Sequence, residues 1–357
     1  LVELFEVIIK FWVKLLAAIF LTLAIFAGSA TANPQLLVDM QTGEVLFESE
    51  AGQPWYPASL SKLTTAMVVF NAIENGRISL QTPVLISAIA VRASGGKSGI
   101  AQGSAVLMED ALNLLIVKSA NDIAIAIAQT LSGSVEDFVV EMNQMATRLG
   151  MSATRFANPH GLNNANQITS ARDLAILALA IRRDFPQYAP IFATSIVEVG
   201  GNNLRTKNNL LTELGGTTGM KTGYICASGL NIVATVERSG RKLLVVVLGA
   251  SSERERGELV GQMVSQYLGG TGLGTGRSVT NIRNQIGSAP VNMRSRMCGE
   301  QAASYKAGRA AAFPFGRAGQ PSYLTDNIAP LTYRVDVLAR MPAIPQPYPR
   351  LERASSL

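Results

Sequence analysis

Histidine occurs once in this 357-residue chain, at His160, and cysteine only twice, at Cys226 and Cys298. With no Cys-x-x-Cys pair and no Cys/His cluster there is no zinc-ligand set, and no metal or other cofactor is expected. The two thiols can form one disulfide in an oxidising compartment, although their spacing does not decide whether they meet. Charge is also scarce. Charged residues make up 16% of the chain against 48% apolar, which excludes wholesale disorder and supports a sizeable core. The apolar run Leu15–Ala27 is shorter than the ~20 residues of a membrane-spanning helix.

What is present near the start is an address. Lys10 and Lys14 precede that apolar run, and Gly28-Ser-Ala-Thr-Ala32 follows it. A cationic start, about a dozen apolar residues and an Ala-x-Ala ending describe a secretory signal peptide over residues 1–32. The chain is therefore expected to be exported, to a periplasm or cell envelope. The other end is basic: from Arg277 onward there are eleven Lys/Arg against four Asp/Glu. A basic end on a near-neutral body suits an acidic surface such as a membrane, or is simply a solvated, partly disordered tail. Export argues against nucleic acid as a partner.

Between these ends the pattern is mixed α/β. Leu36–Asp39 and Glu44–Phe47 flank a turn containing Gly43, and Leu230–Val236 and Lys242–Leu248 flank another; both read as β-hairpins. Helices are expected from Ser59 to Phe70, over Met108–Lys118 and Asp122–Thr130, over Val135–Leu149 and Ser170–Arg182, and over Gly257–Tyr267. Hairpins at both ends with helices between them predict one antiparallel sheet holding helices against it. Gly269–Gly276 is linker-like, and Met341–Pro349 is proline-rich. The expected domains are thus 33–269 and a 270–357 extension.

Three short motifs carry chemistry. Ser-x-x-Lys occurs at Ser59/Lys62, Ser94/Lys97 and Ser239/Lys242. Only the first opens an apolar helix, where serine and lysine lie one turn apart on one face. A free lysine, with a pKa near ~10.4, is no base at neutral pH, but burial beside another cation lowers that value into the useful range. Ser119-Ala-Asn121, at the break between two helices, offers a hydroxyl to relay a proton and an amide to hold Lys62 and a substrate carbonyl. Lys221-Thr-Gly223 leads into a strand, where a cation and a hydroxyl suit a carboxylate. Each motif alone is explained by capping or a solvated lysine; the three in this order are not.

Together they resemble the penicillin-binding proteins and class A β-lactamases, and most closely the low-molecular-mass D-alanyl-D-alanine carboxypeptidases. Tyr56-Pro-Ala-Ser-Leu-Ser-Lys62, Ser119-Ala-Asn-Asp122, Phe156-Ala-Asn-Pro-His-Gly-Leu162 and Gly219-Met-Lys-Thr-Gly-Tyr224 carry the likeness, which runs from about Gln35 to Leu268. It implies an antiparallel sheet flanked by helices plus an all-helical subdomain, followed here by a poorly defined basic tail. It also implies a serine peptidase acting on the D-Ala-D-Ala end of peptidoglycan stem peptides and inhibited by β-lactams. Ser59 would be the nucleophile and Lys62 its base. The backbone N–H groups of Ser59 and Tyr224 would form the oxyanion hole. Ser119 and Asn121 would pass a proton to the leaving D-Ala, whose carboxylate would be held by Lys221, Thr222 and Gly223 with Arg256 and Lys207. From Met142 to Val197 there is no glutamate, so the deacylating residue of class A β-lactamases is missing and a long-lived penicillin adduct is expected. His160 is read as structural. A D,D-endopeptidase and a non-catalytic envelope-binding protein remain the alternatives.

Overall fold

The computed structural model describes residues 33–270 and 274–338. The expected export segment and the proline-rich end lie outside them. Five strands form the central sheet: β1 (Gln35–Asp39), β2 (Val45–Ser49), β3 (Thr217–Ile225), β4 (Gly229–Arg238) and β5 (Arg241–Ala250), in the order β2-β1-β5-β4-β3. Every pairing is antiparallel, with Leu37 opposite both Phe47 and Val245, and Thr222 opposite Ile232. Both predicted hairpins are therefore present and share one sheet. Asp39 accepts from the backbone N–H of Gln41 and Thr42 to close the first turn.

The run Leu243–Leu248 shows why this sheet is a middle layer. Side chains alternate across a strand, so Leu244, Val246 and Leu248 enter one apolar cluster and Leu243, Val245 and Val247 enter another. Apolar residues at successive positions mean that both faces are covered. On one face lie α1 (Ser61–Glu74), α2 (Asn121–Ser132), α3 (Val135–Arg148) and α4 (Ala171–Asp184). On the other, α5 (Glu253–Leu268) buries Leu259, Val260, Met263 and Val264. Helix α1 is buried at every position from Ser61 to Phe70, as its all-round apolar character requires. Ser134, Ser170 and Ser252 cap α3, α4 and α5 through their side chains.

Two small sheets extend this body, and the C-terminal segment joins both. Thr332–Val335 pairs in parallel with Ile196–Val199, and Val337–Leu338 pairs with Ala105–Leu107. Between Thr275 and these strands the segment crosses the sheet edge and the helices. Thr275 donates to Val45 O, Asn284 donates to Asp173, and Met293 and Met297 are buried. The tail expected to be poorly defined is thus ordered over 274–338, held by contacts far apart in sequence. Helix α6 (Ala302–Ala312) lies in it.

Cys226 and Cys298 form a disulfide that closes a loop of 72-residue separation. In the chain-entropy account a loop of this length restricts the unfolded chain by about 4 kcal/mol. Urea denaturation of a Cys226→Ala/Cys298→Ala double variant should give a stability lower by that order. An unchanged midpoint would show that the bridge contributes nothing to holding the segment.

Candidate active site

Ser59 does not begin α1. It sits in a tight three-residue turn, Ala58–Leu60, that leads into the helix at Ser61. Ala58 is held at φ 48°, and two glycines let other chains approach this turn. A Cβ at Gly161, whose φ is +87°, would lie 1.8 Å from Ala58 O, and one at Gly223 would lie 2.9 Å from Ser59 N. These positions accept only glycine, and through them β3 and the 156–162 loop press against the serine. Asn231 also ties β4 to Tyr56 O at 3.2 Å.

Lys62 lies one turn beyond, fully buried. Its Nζ is 3.1 Å from Ser59 Oγ, 2.7 Å from Asn121 Oδ1 and 2.8 Å from His160 O. Burial, then the neighbouring Lys221 charge, push its pKa well below the ordinary value, while Asp122 opposes them. Nζ thus has three oxygen neighbours, and in its neutral form two N–H groups suffice for Asn121 Oδ1 and His160 O, which leaves the lone pair for the serine hydroxyl.

Ser119 ends a widened helical turn, Leu114–Lys118, in the left-handed region at φ 62°. Two of the four non-glycine residues with positive φ among those described, Ala58 and Ser119, flank this site, as strained backbone at functional centres does. The break expected at Ser119-Ala120-Asn121 is therefore present. Asn121 holds Lys62 through Oδ1, and its Nδ2 also donates to Ser94 O at 2.7 Å, so the amide bridges Lys62 to the 94–97 loop. Asp122 accepts from Ser98 N and Oγ and pins the same loop.

Strand β3 is the sheet edge, with its free side toward the serine. Lys221 is buried, and desolvation followed by the charge of Arg256 lowers its pKa to about 7. Arg256 is also buried; it donates to Lys207 O at 2.7 Å, and its Nε has no partner among the described residues. An open cleft of about 440 Å³ is lined by Ser59, Ser119, Lys207, Thr222, Gly223, Tyr224 and Arg256. Lys62, Asn121 and Lys221 stand behind this lining, so all ten residues expected from sequence gather at one place. The other two Ser-x-x-Lys pairs do not join them. Lys97 donates to Val91 O at the surface, and Lys242 pairs with Glu237 at 3.6 Å in the β4–β5 hairpin.

Residues 24–252 match the protein family described as D-alanyl-D-alanine carboxypeptidase. The chain belongs to that family. Among its members, DacF of Bacillus subtilis is 30% identical over 66% of this chain and 63% of its own length. DacC of Escherichia coli is 35% identical over 64% and 59%. The chain thus spans about three-fifths of the length of these curated relatives. Of the solved family folds, penicillin binding protein 5 of Haemophilus influenzae aligns with a TM-score of 0.63 at 32% identity, over 66% of this chain and 70% of its own. Penicillin-Binding Protein D2 of Listeria monocytogenes, solved in an ampicillin-bound form, aligns at 0.57 and 27% identity over 66% and 96%.

Sequence reasoning missed two kinds of family-site contributor. One is the carbonyl of His160, since a backbone acceptor leaves no mark in residue type. The imidazole itself has a pKa lowered to about 4 by burial and by Lys62; Nδ1 accepts from Leu162 N and shapes the loop. The other is Met297 and Lys306, which line the cleft from beyond the matched region.

Proposed function

We propose that the protein is a serine D-Ala-D-Ala carboxypeptidase of the bacterial envelope, trimming the terminal D-Ala from peptidoglycan stem peptides. The observation that carries this reading is the buried Lys62 amine, whose Nζ lies 3.1 Å from Ser59 Oγ and is held there by Asn121 Oδ1 and His160 O. Family membership supplies the substrate class.

In this reading Lys62 takes the Ser59 proton as Oγ bonds to the penultimate D-Ala carbonyl carbon. The oxygen of that carbonyl develops negative charge against the N–H groups of Ser59 and Tyr224. Collapse breaks the C–N bond, and the proton passes through Ser119 to the departing amine. Lys221, Thr222 and Arg256 hold the departing carboxylate, which would also give the unpaired Arg256 Nε an acceptor. Asn121 acts as a positioning residue, orienting Lys62 and the 94–97 loop. Water then hydrolyses the Ser59 ester with Lys62 again as base. β-Lactams, which carry a carboxylate beside a strained amide, would acylate the same serine.

The test is product analysis. Incubated with a purified stem pentapeptide and with a cross-linked dimer, the protein should release one D-Ala per pentapeptide and leave the dimer intact. Conversion of dimer to monomers without free D-Ala would instead make it an endopeptidase.

A further inference from the structure

The cleft holds a cation that the chemistry above does not use. Lys306, on α6, lines it together with Lys207 and Arg256, and the one acidic residue in its lining is Glu253. The backbone carrying Lys306 is clamped on both sides. One turn further along α6, Arg309 pairs with the buried carboxylate of Glu255 at the start of α5. Upstream, the disulfide fastens Cys298 to Cys226, two residues past Tyr224 on β3. Residues three apart on a helix share a face, so the Arg309 pair turns Lys306 toward the cleft. Met297, buried beside Cys298, supplies an apolar contact on the same wall.

We propose that residues 294–312 form a substrate-selecting wall in which Lys306 receives a second carboxylate of the stem peptide, one on the acyl-donor side of the scissile bond. This rests on the carboxypeptidase reading. A leaving D-Ala has a single carboxylate, already provided for by Lys221, Thr222 and Arg256; any further anionic group belongs to the portion that stays on Ser59. The direction of β3 agrees. Lys221 stands at the carboxylate end and Tyr224 at the oxyanion position. Cys226, which anchors the start of the wall through Cys298, lies further along on the acyl side, at ~3.3 Å per residue.

The experiment uses the full chain and two soluble peptides ending in D-Ala-D-Ala. They differ only in whether the side chain of the preceding residue ends in a carboxylate or its amide. Wild type should show a KM about three- to fivefold lower for the carboxylate peptide, the range of a solvent-exposed ion pair. Lys306→Ala should erase that difference by raising KM for the carboxylate peptide alone, with kcat within about twofold. Lys306→Arg should retain the preference and Lys306→Glu should reverse it. Equal KM values in wild type, or an equal loss on both peptides in Lys306→Ala, would overturn the wall while D-Ala release stands. Absence of D-Ala release from both peptides, together with absence of penicillin labelling, would overturn the carboxypeptidase reading and the wall with it.

Discussion

Ser59→Ala should lose stem-peptide turnover by about 10⁴-fold or more and should take up no covalent penicillin. The size of the effect follows from the geometry. No second hydroxyl stands at hydrogen-bond distance from Lys62 Nζ among the described residues; its partners are Ser59, Asn121 and the His160 carbonyl. Ser119 lines the same cleft but is not among the hydrogen-bond partners of Lys62 Nζ. Ser59 is only half-buried, and its removal deletes one oxygen from a turn fixed by Gly161 and Gly223. The variant should therefore fold and melt like wild type. Mass spectrometry after exposure to penicillin separates the outcomes: one adduct on wild type and none on the variant. An adduct of equal yield on Ser59→Ala would place the nucleophile elsewhere.

Lys62→Met should slow acylation by about 10²- to 10⁴-fold, the usual range for losing a positioned base. Methionine matches the length and burial of lysine but takes no proton. Two effects on stability oppose each other. The Asn121 and His160 oxygens lose a donor, which costs about 1–3 kcal/mol for each buried group, while the cost of burying an amine disappears. The folded state should survive, and slow penicillin labelling should persist through the intact oxyanion hole. Stopped-time labelling measures this rate directly; a rate within twofold of wild type would remove Lys62 from the proton transfer.

Much of this arrangement is legible from local sequence. The paired hairpins follow from turn residues between alternating apolar runs, and the buried α1 from an apolar stretch without a polar face. The three motifs could be placed because each sits at a structural transition: the turn before α1, the break at Ser119, and the sheet edge at Lys221. What could not be read was fixed by partners distant in sequence. Tyr333–Leu338 is β-like in its own sequence, but nothing local says that Thr332–Val335 will pair in parallel with Ile196–Val199. Helix α6 buries no residue completely, so it presents no strong apolar stripe, and its position depends on Arg309 reaching Glu255. That Asn121 also ties down Ser94, 27 positions earlier, has no local sign in the sequence. The basic, Pro-, Gly- and Arg-containing composition after residue 277 resembled solvated tail for the same reason.

The pH dependence carries the sign of both shifted lysines. In the proposed mechanism Lys62 works as the neutral amine, so acylation should be lost as pH falls through its depressed pKa. In the same mechanism Lys221 works as the cation, so carboxylate binding by the free enzyme should weaken as pH rises through about 7, and a bound carboxylate moves that loss to higher pH. The profile of kcat/KM is then bell-shaped, with Lys62 on the acid limb and Lys221 on the alkaline limb.

The most direct test follows the penicillin acylation rate constant at saturating penicillin, where the Lys221 limb is suppressed, from acid to alkaline pH. A Lys62 whose pKa burial has lowered predicts a plateau reached well below the pH at which an ordinary lysine loses its proton, with the rate falling only toward acid. A rate that instead climbs about tenfold per pH unit through pH 9, toward the ~10.4 of an ordinary lysine, would show Lys62 charged beside Ser59 and contradict the account.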